Sequence, residues 1–166
     1  MFKVSDIVNY STTGVCEIIE ITEKEIGAEV KSFYILQPVF DRSATVMVPT
    51  ENELLTSRMR PLLKKQEASE LLEKIDEISP LWYNDDRVRF EEYKKALLSN
   101  DRAVHLSIIK ALLLHQKSQS EKGRKLRNID ERILKEAEKI LYTEIAFLND
   151  WDVKVMPKKL LELIFK

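Results

Sequence analysis

Chemistry in this chain would have to come from a short roster of side chains. Cys16 is the only cysteine, and His105 and His115 are the only histidines. Those histidines stand ten positions apart, about 15 Å along a helix axis, too far to chelate one ion. Carboxylates are plentiful, but in the second half of the chain most lie three or four places from a lysine or arginine, as in Glu70 with Lys74 and Glu131 with Lys135. That is the spacing of solvated helix faces. Only Gly14, Gly27 and Gly123 are glycines, so no phosphate-cradling loop of several glycines can be written. Neither Gly-x-Ser-x-Gly nor His-Glu-x-x-His occurs. Cys16 has no basic sequence neighbour to lower its pKa and reads as core filler. No nucleophile has a base beside it. The residues therefore read as those of a binding protein, not an enzyme, with no metal, cofactor or small-molecule substrate.

The cations are more informative. Residues 117–127 hold Lys117, Lys122, Arg124, Lys125 and Arg127 against the single anion Glu121, a local net charge of +4. The whole chain, with 27 Lys plus Arg and 28 Asp plus Glu, balances to −1. A phosphate backbone would find that segment. Arg87, Arg89, Lys94 and Lys95 follow the aromatic pair Trp82-Tyr83, and rings beside cations hold melted nucleic acid. The plain alternative is a solubilising loop and a core tryptophan.

These residues must be positioned by 166 residues that are 44% hydrophobic, the composition of a globular protein of one large or two small domains. Residues 1–50 read as short strands, Ile7 to Tyr10, Val15 to Thr22, Ser32 to Leu36 and Ala44 to Val48, with turns at Ser11–Gly14 and Ile26–Ala28. A sheet this small hides its apolar face best by curling, so a Tudor- or SH3-like antiparallel barrel is expected over 1–62. From Gln66 the apolar period becomes helical. Helices are predicted over about 67–78, 84–98, 101–116, 128–148 and 160–165. Asp101 serves as one N-cap, Asn128 with Glu131 as a capping box, and Pro157 sits in a first turn. The fold class is α+β: a barrel, then an all-helical domain of about five helices over 66–166. No apolar run approaches the roughly 20 residues that span a bilayer, and the start lacks a secretory layout, so a cytoplasmic protein is expected.

Taken as a set, the residues resemble the CarD/CdnL-like bacterial transcription regulators, whose N-terminal module is shared with transcription-repair coupling factors. The matching residues are Phe2-Lys3-Val4-Ser5-Asp6-Ile7-Val8-Asn9-Tyr10, Gly14-Val15, Phe33-Tyr34-Ile35-Leu36, Thr45-Val46-Met47-Val48-Pro49 with Asn52, and Met59-Arg60-Pro61. In the second half, Lys95 to Asp101 is similar to the family's Leu-x-Ser-Gly-Asp turn, and Ala137 to Ala146 to its closing helix.

The resemblance implies that the barrel docks on the β subunit of RNA polymerase, an open sheet edge accepting a partner strand, with Lys24, Ile26, Val46 and Met47 at the polymerase-facing positions. For Ile26 and Val46 the plain reading is barrel core. The resemblance also implies that the helical domain meets promoter DNA without reading sequence, nucleoid-associated through polymerase and modulating open-complex stability. The family's wedge tryptophan aligns with Asp86. Trp82, four residues earlier, is the substitute, and Arg87, Arg89, Lys122, Arg124, Lys125 and Arg127 are the other candidate DNA contacts. The alternative is an adaptor whose helical domain contacts another protein.

Overall fold

The computed structural model describes residues 1–166 and divides into two units, Met1–Leu62 and Leu63–Lys166. In the first, Ile7–Tyr10 (β1), Gly14–Ile26 (β2), Glu29–Pro38 (β3), Val46–Pro49 (β4) and Met59–Arg60 (β5) form one antiparallel sheet in the order β4-β3-β2-β1-β5. One turn of helix, Glu53–Thr56 (α1), separates the last two strands, and Asn52 caps it by accepting from the Leu55 N–H at 3.1 Å. Val48 from one edge and Met59 from the other share a core with Val8, Tyr10, Cys16, Ile18, Tyr34 and Leu36, so the sheet curls. Its edge strands do not pair with each other, so the expected small barrel is a curled five-stranded sheet left unclosed between β4 and β5.

β2 and β3 run well past the predicted 15–22 and 32–36. Their outer ends carry Glu23, Lys24, Glu25, Glu29 and Lys31, exposed on both faces, so no apolar alternation marks them as strands. The ladder itself holds them, from Ile18–Leu36 out to Ile26–Glu29. The two-residue loop at the tip needs Gly27, at φ +66°.

A β-bulge at Ile19 shifts the register between Ile18 and Glu20. Before it, even-numbered Cys16 and Ile18 face the core. After it, Ile21 lies opposite the core residue Tyr34, and even-numbered Glu20, Thr22, Lys24 and Ile26 turn to the outer face. One extra residue thus decides which way Ile26 points.

The second unit is all helical: Lys65–Glu73 (α2), Asp86–Leu98 (α3), Arg102–Glu121 (α4), Asn128–Asn149 (α5) and Met156–Ile164 (α6). Its core joins Tyr93 and Leu97 of α3, Leu106, Ile108, Ile109 and Leu112 of α4, Ile133, Ala137, Ile140, Leu141 and Ile145 of α5, and Met156 and Leu160 of α6. Asp85 caps α3 and Asp101 caps α4, accepting from the N–H groups of Val88 and Val104. α2 ends short of the predicted 78, because the chain tightens into a 3-10 turn at Ile75–Glu77 whose region Lys110 caps, donating to the Ile75 and Ile78 carbonyls at 2.8 and 2.9 Å. The Asn128 capping box does not form. Arg127 is the half-in residue, Asn128 is already helical, and the first-turn carboxylate of Asp130 turns inward. No helix is long and apolar enough to cross a membrane.

Candidate functional site

Two surfaces carry the sequence-predicted residues, one on each unit. On the sheet unit, cross-strand partners share a face, so the outer face reads off the register. It holds Glu20, Lys24 and Ile26 of β2, Lys31, Phe33 and Ile35 of β3, and Met47 and Pro49 of β4. Ile26 is 50% exposed and Met47 41%, unusual for apolar side chains, while the Lys24 ammonium donates only to Met47 Sδ, at 3.7 Å. Lys24, Ile26 and Met47 therefore stand together, turned away from the core. Val46 does not join them. It lies opposite Leu36, on the other face, and packs half-buried against the sheet core, so its polymerase-facing assignment is corrected to core.

β4 is an edge strand, bonded to β3 alone. Thr50 N–H donates to Ser32 O at 3.0 Å, and antiparallel alternation then makes Val48–Tyr34 and Val46–Leu36 the bonded pairs. The backbone of Met47 consequently points outward, beside Pro49, which has no N–H to leave unsatisfied.

On the helical unit, Arg89 is not a free phosphate contact. It is 2% exposed, and its Nε and Nη2 donate to Asp130 Oδ1 and Oδ2 at 2.9 and 2.8 Å. Nη2 also reaches Asp86 Oδ1 at 2.8 Å, and Nη1 the Tyr83 carbonyl at 2.9 Å. Four of its five N–H groups are thus bonded, as burying a guanidinium demands, and almost none of it is left to solvent. Trp82 is corrected with it. α3 begins at Asp86, so Trp82 precedes the helix. Its ring carries the Arg89 guanidinium at 4.5 Å and the His115 ring at 4.3 Å, and its Nε1 donates to Asn84 Oδ1 at 3.2 Å. The indole belongs to the bundle and does not project as a wedge. Asp86, where that wedge was aligned, bridges Arg89 and Arg127.

The remaining cations are on the surface. Arg87 sits on the first turn of α3, paired with Glu91 at 3.6 Å, and Arg127 is exposed despite its bond to Asp86. Lys122, Arg124 and Lys125 lie in the α4–α5 connection. That connection is fixed: Gly123 N–H donates to Ser120 O and Arg124 N–H to Gln119 O, a Schellman motif with Gly123 at φ +71°, and Leu126 is buried. Burial holds His115 below its ordinary 6.5. The Arg89 and Lys122 charges act in the same direction, and Asp130 opposes them. Lys122, His115 and Trp82 are thus neighbours of the Arg89 network. The fold gathers Trp82, Arg87, Arg89 and the 122–127 segment at one end of the bundle, but only Arg87, Lys122, Arg124, Lys125 and Arg127 face outward. No three His, Cys, Asp or Glu side chains cluster as a metal-ligand set.

Residues 2–63 match the family model of the CarD-like/TRCF RID domain. The sheet unit belongs to that family. It is an RNA-polymerase-interacting domain, and the match ends at Leu63, the first residue of the helical unit. A comparison with curated proteins finds no match to the chain. Within the RID the sequence reading missed Phe33, which lies on the outer face yet is only 7% exposed. It lines a groove of about 650 Å³ with Ile26, Lys31, Pro49, Glu51 and Glu53. Asp130, the partner of Arg89, was missed as well. The two are 41 residues apart, a pairing no local spacing reveals.

Proposed function

We propose that this chain is a non-enzymatic transcription regulator whose RID docks on the β subunit of RNA polymerase through the outer face around Lys24, Ile26 and Met47. The observation that carries this reading is the coincidence of three features in a domain of the RID family. These are two solvent-facing apolar side chains, a lysine in no ion pair and an edge strand with outward backbone groups. Met47 makes the face more apolar than a cation at that position would. Ile26→Asp with Met47→Asp is expected to weaken polymerase binding at least about ten-fold, as central anchor residues do. Retention of full affinity would refute the docking face.

The helical unit, in this reading, meets promoter DNA without reading sequence, through Lys122, Arg124, Lys125, Arg127 and Arg87, and shifts the equilibrium between closed and open complexes. A measurement of open-complex lifetime with and without the protein tests it, and an unchanged lifetime counts against it. The second reading, an adaptor whose helical unit binds a protein, draws support from one observation: Trp82 is packed under Arg89 and His115, with no exposed wedge at that end. Charge reversal at Lys122, Arg124, Lys125 and Arg127 separates the two. Lost affinity for fork-junction DNA favours the first reading, and unchanged affinity the second.

A further inference from the structure

The groove on the RID face has a polarity across its width. Its apolar lining is Phe33, Ile26 and Pro49. On the hairpin side stands Lys31, directly opposite Lys24 in the β2–β3 ladder. On the other side, where the chain turns from β4 into α1, stand Glu51 and Glu53. Within the sheet unit the ion pairs are Lys31 with Glu29 and Arg42 with Glu17, so neither Glu51 nor Glu53 is neutralised and Lys24 reaches only a thioether; the Lys31–Glu29 pair, 3.8 Å between two exposed side chains, opens to a competing carboxylate at little cost. An apolar trough with a cationic and an anionic bank discriminates by charge order as well as by shape.

We propose that this groove seats an extended segment of RNA polymerase that lays a bulky apolar side chain on Phe33. An acidic residue of that segment lies toward Lys24 and Lys31, and a basic residue toward Glu51 and Glu53. This rests on the docking face proposed above and adds the partner's residue pattern to it. The order of charges fixes the direction in which the segment lies, since reversing it would set like charges together on both banks.

The test uses the full chain and intact polymerase, with dissociation constants measured at about 50 and about 300 mM salt. The E51K/E53K double variant is expected to bind at least about five-fold more weakly at the lower salt, with the deficit shrinking at the higher, and K31E to behave likewise. Thermal midpoints check that each variant folds, and E51Q/E53Q, with a deficit of about three-fold, replaces any charge reversal that does not. Unchanged or tighter binding of the Glu51/Glu53 variants, while K24E/M47E still loses about ten-fold, overturns the groove and leaves the face standing. If K24E/M47E also binds like the parent, the docking face falls and the groove with it.

Discussion

Arg89 shows how far one side chain's role depends on partners that are distant in sequence. Its charge is spent inside the bundle on Asp130 and Asp86, and removing one partner strands the other. Asp130→Ala is expected to cost about 3–5 kcal/mol of unfolding free energy, read by urea denaturation. Asp86→Ala, at the half-exposed end of the network, costs about 1 kcal/mol in the same measurement. Glu138 gives a pH-dependent counterpart. Burial pushes its carboxyl up to about 7, with Lys135 opposing. The folded chain then keeps a proton that the unfolded chain, near 4.5, releases, so this contribution is full below 4.5 and is lost as pH rises through 7. Glu138→Gln should therefore raise the stability at about pH 8 by roughly 1 kcal/mol and leave it unchanged at about pH 4, as thermal midpoints at the two pH values would show.

At the scale of elements, the α4–α5 connection carries a clear expectation. Gly123 occupies a left-handed position that a β-carbon strains, and Gly123→Ala is expected to destabilise by about 1 kcal/mol. Lys122→Ala and Lys125→Ala leave stability alone. If they touch phosphate, each lowers the slope of log affinity against log salt by about one, measured on duplex DNA. Elements with one buried stripe were legible in the sequence: α3 and α5 fall within two residues of the predicted ends, and Asp101 is the cap it was read to be. Elements lacking such a stripe were not. The outer ends of β2 and β3 are exposed on both faces, and α4 extends past 116 through the largely exposed run Lys117–Glu121. The candidate sites follow the same logic. Lys24, Ile26 and Met47 share the outer face only because a bulge at Ile19 reverses the parity of β2. Val46, Trp82 and Arg89 went inward because their partners, Leu36, His115 and Asp130, come from other elements.

Across the whole molecule, charge divides with the units. Residues 1–62 hold six cations and nine anions, a net of −3, and residues 63–166 hold 21 and 19, a net of +2. The field of one unit attracts a polyanion and that of the other repels it. The sheet unit has its own core, and a fragment of residues 1–62 is expected to retain polymerase binding, checked by pull-down with the β subunit. Loss of binding in a fragment whose circular dichroism shows it folded would place the polymerase contact in the helical unit. The tryptophans divide too. Trp82, clasped by an imidazole and a guanidinium, and Trp151, under Lys159, both lie in the helical unit, while the sheet unit has only tyrosines and phenylalanines. Indole emission is consequently blind to the sheet unit. A denaturation curve recorded at those wavelengths follows the helical unit melting, and its midpoint says nothing of whether the other is still intact.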